Sequence, residues 1–396
     1  MINKTSFLAE IAAALFTTIS CADVTDASRT GLDRAKQTIS AIYTHYSVPE
    51  NYLLRENYPH DDTYKAGYLA SEDQSVTGNS YSYLWPFSGT LSAVAAIIET
   101  DPSWKDTLDM IVLPGLQEYY DAVRQPAAYA SYIETTPLAD RFYDDNIWLG
   151  IDFTDLYRLT GDKSYLANAE EIWKFIESGT DDVLGGGIYW CEQKKGSKNT
   201  CSNAPGSVYA TKLYMATANP AYLAQGIELY NWTKSNLLDT SDYLYFDNVN
   251  LEGKVARQKY SYNSGQMIQA ACLIYNITKD QTYLDDARRT AAACYGYYFE
   301  DWTAEDGAPV KVLKKGNVWF HAVMLRGLIE LYRIDGDPTY IDAVRSSLDV
   351  AWNHGRSAEG LFGEDCRTPE EGKKWLLTQG AMAEMYARIA AVGRSR

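Results

Sequence analysis

Two adjacent aspartates, Asp144 and Asp145, stand among Phe142, Tyr143, Ile147 and Trp148. Paired carboxyls beside aromatic rings suit the cleavage of a glycosidic bond. One protonates the departing oxygen, while the other attacks the anomeric carbon or activates water. Three other adjacent pairs lack this apolar setting. Asp61-Asp62 and Asp181-Asp182 fall in polar loops, and Asp285-Asp286 opens a surface helix, where an aspartate normally caps or complements the helix dipole. The α-carbons of neighbouring residues lie about 3.8 Å apart. Such closeness favours the carboxylate separation of about 5–5.5 Å found in retaining glycosidases over the roughly 6.5–9.5 Å that admits an inverting water.

The frame that must hold this pair is repetitive. Trp104, Tyr165, Tyr222, Tyr283 and Tyr340 recur 61, 57, 61 and 57 residues apart, each just after a break such as Asp101-Pro102, Gly161-Asp162, Asn219-Pro220, Lys279-Asp280 or Gly336-Asp337. Each break separates two amphipathic stretches, so each is a tight turn between helices: Gly tolerates the left-handed exit and Asp or Asn caps the next helix. Five helical hairpins follow. The amphipathic segments 27–46 and 374–391 add one unpaired helix at each end, giving twelve. Neither end carries the polar face that an open array requires. The pattern therefore predicts an all-α closed ring, the (α/α)6 barrel, in a single domain spanning 27–394. This overrides the two or three domains that length alone suggests.

If the tight turns share one face of the ring, the connections on the other face are long: about 47–87, 125–145, 179–206, 239–262, 300–317 and 355–372. Long ordered loops on a rigid scaffold carry function. The residues entering the inner helices from them are Tyr83-Leu84-Trp85-Pro86-Phe87-Ser88-Gly89, Tyr143-Asp144-Asp145-Asn146-Ile147-Trp148, Gly185-Gly186-Gly187-Ile188-Tyr189-Trp190, Tyr260-Ser261-Tyr262-Asn263-Ser264-Gly265-Gln266 and Val318-Trp319-Phe320-His321. Trp85, Trp190, Tyr262 and Trp319 are the candidates for stacking on sugar rings, with Tyr143 and Phe320 beside them. Asn146, Asn263 and Gln266 are the candidates for binding hydroxyls. His321 is open to two readings, a subsite residue or a helix-start residue bonded to a neighbouring loop.

Composition narrows the partner. A formal charge of −16 argues against nucleic acid and anionic membranes. The 32 tyrosines and 10 tryptophans fit a neutral, hydroxyl-rich ligand, because these side chains pair an apolar face with a polar tip. Residues 1–22 read as a targeting segment: Lys4 precedes the apolar run 11–16, and Thr18-Ile19-Ser20-Cys21 loosely resembles a lipobox. The mature protein is expected outside the cytoplasm, secreted, periplasmic or anchored at the surface through Cys21, as a monomer. No later stretch has the roughly 20 apolar residues of a membrane span. Cys191 and Cys201 flank a polar loop, and in an exported chain a disulfide between them is expected. Cys272 and Cys294 read as small buried side chains. The sequence has no C-x-x-C, and His45, His60, His321 and His354 are scattered, so neither zinc nor any other cofactor is expected.

At these motifs the chain resembles glycoside hydrolase family 76, the endo-α-1,6-mannanases. The likeness runs through Trp85-Pro86-Phe87-Ser88-Gly89, Asp144-Asp145-Asn146-Ile147-Trp148-Leu149-Gly150, Gly185-Gly186-Gly187-Ile188-Tyr189-Trp190, Tyr262-Asn263-Ser264-Gly265 and Trp319-Phe320-His321-Ala322. It implies an (α/α)6 barrel and retaining cleavage of α-1,6-linked mannan, with Asp144 as nucleophile and Asp145 as acid/base. The sequence departs at His321, where an amide or lysine is commoner. Transglycosylation by the same intermediate and sugar binding without turnover are the alternatives.

Overall fold

The computed structural model describes residues 26–49, 51–70, 80–133, 139–304 and 307–392; the expected targeting segment, with Cys21, lies outside them. Among the described residues, twelve helices follow one another. They are α1 (Asp26–Tyr46), α2 (Leu84–Ile98), α3 (102–117), α4 (Tyr143–Thr160), α5 (Lys163–Glu177), α6 (Thr200–Thr217), α7 (Pro220–Leu237), α8 (Ser261–Thr278), α9 (Gln281–Tyr298), α10 (Val318–Asp335), α11 (Thr339–Val350) and α12 (Leu376–Val392). Helix α3 is broken into 3₁₀, α and π segments. Pro114 within it lacks the N–H that would continue the ladder.

The even-numbered helices form the inner ring and are buried on most sides, whereas the odd-numbered ones each bury one stripe against them. Around the ring α2 packs on α4, α4 on α6, α6 on α8, α8 on α10 and α10 on α12, and α12 packs on both α2 and α1. The ring is closed, as the unpaired terminal helices require. Two glycine pairs allow the inner backbones to approach. A Cβ on Gly327 would meet the carbonyl of Gly265 at 2.1 Å, and one on Gly380 would meet Gly89 at 2.7 Å.

The short turns cluster in sequence as anticipated. Gly161 and Gly336 leave their helices at φ 74° and 71°, but Ala218 and Lys279 take the same left-handed conformation with side chains attached. Asp162, Asn219, Asp280 and Asp337 each accept a hydrogen bond from the backbone N–H two residues on. The long connections hold short strands that the helical pattern did not reveal: β1 (Asn57–Tyr58), β2 (Tyr120–Asp121), β3 (Ala128–Tyr129), β4 (Ser197–Asn199), β5 (Phe246–Asn250), β6 (Val255–Lys259), β7 (Phe299–Thr303), β8 (Pro309–Leu313) and β9 (Lys374–Trp375). Strand β5 lies between β4 and β6, while β1–β9, β2–β3 and β7–β8 are antiparallel pairs. These strands stiffen the loops in front of the inner-helix N-termini.

Candidate active site

A cleft of about 520 Å³ opens at the N-terminal ends of the inner helices. Asp144 and Asp145 line it from the first turn of α4. Both are partly exposed to the cleft, yet protein surrounds them and water does not stabilise their charge fully. The indole Nε1 of Trp190 donates to Asp144 Oδ2 at 3.1 Å. Burial pushes the Asp144 carboxyl up, offset by the Cys201 thiol, the Trp190 N–H and backbone N–H groups at the helix start. Asp145 is pushed up further, by burial and then by the charge of Asp144, with no donor to offset either. Of the two, Asp145 is the one whose surroundings favour the protonated form more strongly.

One side of the cleft is aromatic. Trp85, Trp148, Tyr260, Tyr262, Trp319 and Phe320 all contribute. Tyr262 stacks on Phe320 with centroids 4.0 Å apart and planes 5° from parallel, and Trp319 meets Trp85 and Trp148 edge-on at 5.5 and 4.9 Å. The other side is polar, formed by Ser197, Asn199, Asp247 and Asn248, where β4 and β5 pair Asn199 with Asn248. Burial raises the Asp247 carboxyl, while the Asn248 and Asn263 amides partly offset this. A sugar ring entering here finds a face to stack on and acceptors for its hydroxyls.

Trp85, Trp190, Tyr262, Trp319 and Phe320 thus lie with the aspartates in one cleft. Four other expectations need correction, those for Tyr143, Asn146, Asn263 and Gln266, and of the two readings open for His321 the geometry favours one. Tyr143 stacks on Phe175 at 4.6 Å and packs behind the cleft. Asn146 uses its whole amide on backbone, accepting from Tyr129 N and donating to the carbonyls of Tyr129 and Phe142, so it fastens a loop instead of binding a hydroxyl. Asn263 and Gln266 are buried at 0% and 1% exposure, below the cleft surface, with Gln266 donating to Gln269. His321 faces away: its ring nitrogens lie 3.1 Å from Ser261 Oγ and 3.2 Å from the Lys314 carbonyl. Burial lowers its pKa to about 4, so it is the neutral loop-bonded residue and not a subsite group.

The Cys191–Cys201 disulfide is also absent; both are free, buried thiols. Cys201 starts α6 and lines the cleft near Asp144 and Tyr262, whereas Cys191 sits on the bridge to Phe142, within 3.9 Å of Gln193 Oε1. Sequence reasoning missed Gly67, Tyr68, Leu69, Ser131, Ser197, Asn199, Asp247 and Asn248 as lining residues, and it placed Tyr83 and Tyr260 at inner-helix entries without giving them a binding role. Asp247-Asn248, a carboxylate and an amide in a long loop, was the one available signal. Among the described residues no cluster of His, Cys, Asp or Glu has the makings of a metal site.

Comparison with known proteins gives this cleft a context. The profile of glycosyl hydrolase family 76 matches residues 33–308. A family 76 mannosidase from Bacteroides thetaiotaomicron VPI-5482 is 33% identical, with a TM-score of 0.83 over 92% of this chain and 99% of its own. An inactive variant of an α-1,6-mannanase from Salegentibacter sp. HEL1_6, solved with α-1,6-mannotriose, is 23% identical with a TM-score of 0.70, over 91% of this chain and 99% of its own, and shares the fold. The mannan endo-1,6-alpha-mannosidase DCW1 of Saccharomyces cerevisiae is 29% identical over 106 residues, and the match spans about a quarter, 24%, of either protein.

Proposed function

The chain belongs to glycosyl hydrolase family 76 and is a glycosidase; on that premise we propose that it is a retaining endo-α-1,6-mannanase. The observation that carries the mechanism is the unequal pair at the cleft floor. Asp144, ionised and held by Trp190, attacks the anomeric carbon. Asp145, which keeps its proton, donates it to the departing glycosidic oxygen. The covalent mannosyl–Asp144 ester then yields to water, activated by the now-deprotonated Asp145. Two inversions return the α-configuration.

The substrate assignment draws on the α-1,6-mannotriose held by the Salegentibacter protein and on the yeast relative's activity. The aromatic and polar sides of the cleft fit a neutral polysaccharide, with Asp247 and Asn248 placed to bind hydroxyls. An extracytoplasmic location follows from the targeting motif in residues 1–22 and from the polymeric substrate, and no helix among the described residues is long and apolar enough to cross a membrane.

Unbranched α-1,6-mannan followed by proton NMR tests the reading. The first-formed reducing ends should be α, and early products should be mixed oligosaccharides. Initial β-anomers would overturn retention, release of mannose alone would overturn endo action, and binding without new reducing ends would leave a glycan-binding protein. Longer chains formed from oligosaccharides would mark a transglycosylase.

A further inference from the structure

Glu56 is 2% exposed, close behind the cleft, and plays no part in the chemistry above. Its carboxyl joins three separate parts of the chain. Oε1 accepts from the Tyr68 hydroxyl and from Trp375 Nε1, each at 2.7 Å, and Oε2 accepts from the backbone N–H of Tyr83 at 2.9 Å. Its own carbonyl accepts from Leu376 N, beside the β1–β9 pairing of Asn57 with Trp375. Glu56 therefore stands at the seam where the first loop of the ring meets the last inner helix.

The groups it gathers carry cleft residues. Tyr68 and Tyr83 line the cleft. The Tyr68 ring lies edge-on to Trp85 at 5.1 Å and tilted on Trp375 at 5.6 Å, and Trp375 meets Trp85 edge-on at 5.3 Å. Tyr68 reaches this position from a loop, whereas Trp85 sits on a packed helix. A loop side chain keeps one orientation only if something fixes it, and here the fixing group is the Glu56 carboxylate.

We propose that Glu56 is a positioning residue, which sets the Tyr68–Trp375–Trp85 corner of the cleft and with it the affinity of the sugar subsite formed there. This rests on the glycosidase reading of the cleft. A carboxylate supplies two acceptor oxygens to three donors, whereas a glutamine turns an N–H₂ group toward at least one of them, and the set is no longer satisfied. Burial pushes Glu56 up to about 7 despite those three donors. The titratable groups facing it are phenols: Tyr64 and Tyr68 from its own loop, Tyr83 at the start of α2, and Tyr119 and Tyr132 beyond. Ionised, it serves all three donors; protonated, it loses acceptor capacity, so the corner loosens as pH falls through about 7.

The test is steady-state kinetics of Glu56→Gln on α-1,6-mannooligosaccharides across pH 5.5–8.5. KM should rise about tenfold with kcat within about twofold, the signature of lost uniform binding. The wild-type rise in KM below pH 7 should be absent from the variant. An unchanged KM, or a fall in kcat matching only the loss of folded protein, would overturn the proposal. Should Glu56→Gln not fold, Tyr68→Phe removes a single donor, and its KM should rise about threefold; no rise would count against the proposal. If the wild type turns over no mannan, the functional reading fails separately. The Glu56 assignment is then decided by the crystal structure of Glu56→Gln, in which unmoved Tyr68 and Trp375 rings would reject it and displaced rings would support it.

Discussion

Helix α4 carries acidic residues toward both ends of the barrel, and the two ends treat them in opposite ways. Away from the cleft, Asp155 is gripped by Lys212, with 2.6 Å to each carboxylate oxygen, and Glu384 receives Arg326 and Arg388 at 2.7 and 2.6 Å. Burial pushes these carboxyls up, but the cations outweigh it: Asp155 is held below its ordinary value and Glu384 at about 2. Asp152 is the intermediate case, since Arg326 comes no nearer than 3.9 Å and burial leaves it at about 6. At the cleft end the shifts of Asp144 and Asp145 contain no cation among their causes, and both rise. On this helix the carboxyl with a close cation serves the scaffold, while the pair without one is left with the raised pKa that acid–base chemistry needs.

Removing each end's key group should separate those roles. Asp144→Ala should abolish turnover of every substrate, since no glycosyl-enzyme can form. Asp145→Ala should lower mannan turnover by about 10²–10⁴-fold while sparing ester formation from a mannoside with an activated leaving group. Azide should partly rescue Asp145→Ala and give an α-mannosyl azide; a β-azide would exchange the two roles.

At the far end Lys212→Met strands Asp155 without its cation. It should cost about 3–5 kcal/mol of stability by denaturant titration, with kcat of the remaining folded enzyme nearly unchanged. A comparable loss of kcat would show that the two ends are not independent.

Trp190→Phe removes one of the donors that, with the Cys201 thiol and the backbone N–H groups, favour the ionised Asp144. The acid limb of the kcat/KM profile should move to higher pH and kcat/KM should fall about tenfold near pH 6, equivalent to about 1.4 kcal/mol. An unmoved limb would deny the indole this part.

Asp145→Asn should stabilise the fold. A carboxyl whose folded pKa is raised contributes stability at low pH and loses it as pH rises through that value. The variant should therefore gain on the wild type as pH increases, by about 1 kcal/mol at pH 8, and match it in acid. The smallest kinetic effect belongs to His321→Gln: kcat/KM within about twofold, with about 1 kcal/mol lost from the Ser261 and Lys314 contacts. A large rise in KM would return His321 to the substrate.

The cleft shows how far local sequence reaches. Asp144 and Trp85 were legible because a helix start beside aromatic residues fixes which way its first side chains project. Asn263 was not, for it lies buried one position after Tyr262, with its amide beneath the Asp247 carboxyl that a distant loop lays over it. Asn146 likewise had a backbone partner, Tyr129, supplied by a loop far from it in the sequence.

The sequence by itself determined the period of the hairpins, the twelve helices and the closure of the ring, because turn chemistry and amphipathic spacing act over a few residues. It also marked the aspartate pair. Tertiary structure alone decided that Asp247 and Tyr68 join that pair in one cleft, that Cys201 points at Asp144 instead of bonding Cys191, and that Lys212 neutralises Asp155 while Asp145 goes unpaired. Those outcomes depend on which loop ends and which helix faces meet across the ring, and on the burial that meeting creates. Neither is encoded within the few residues over which a pattern can be read.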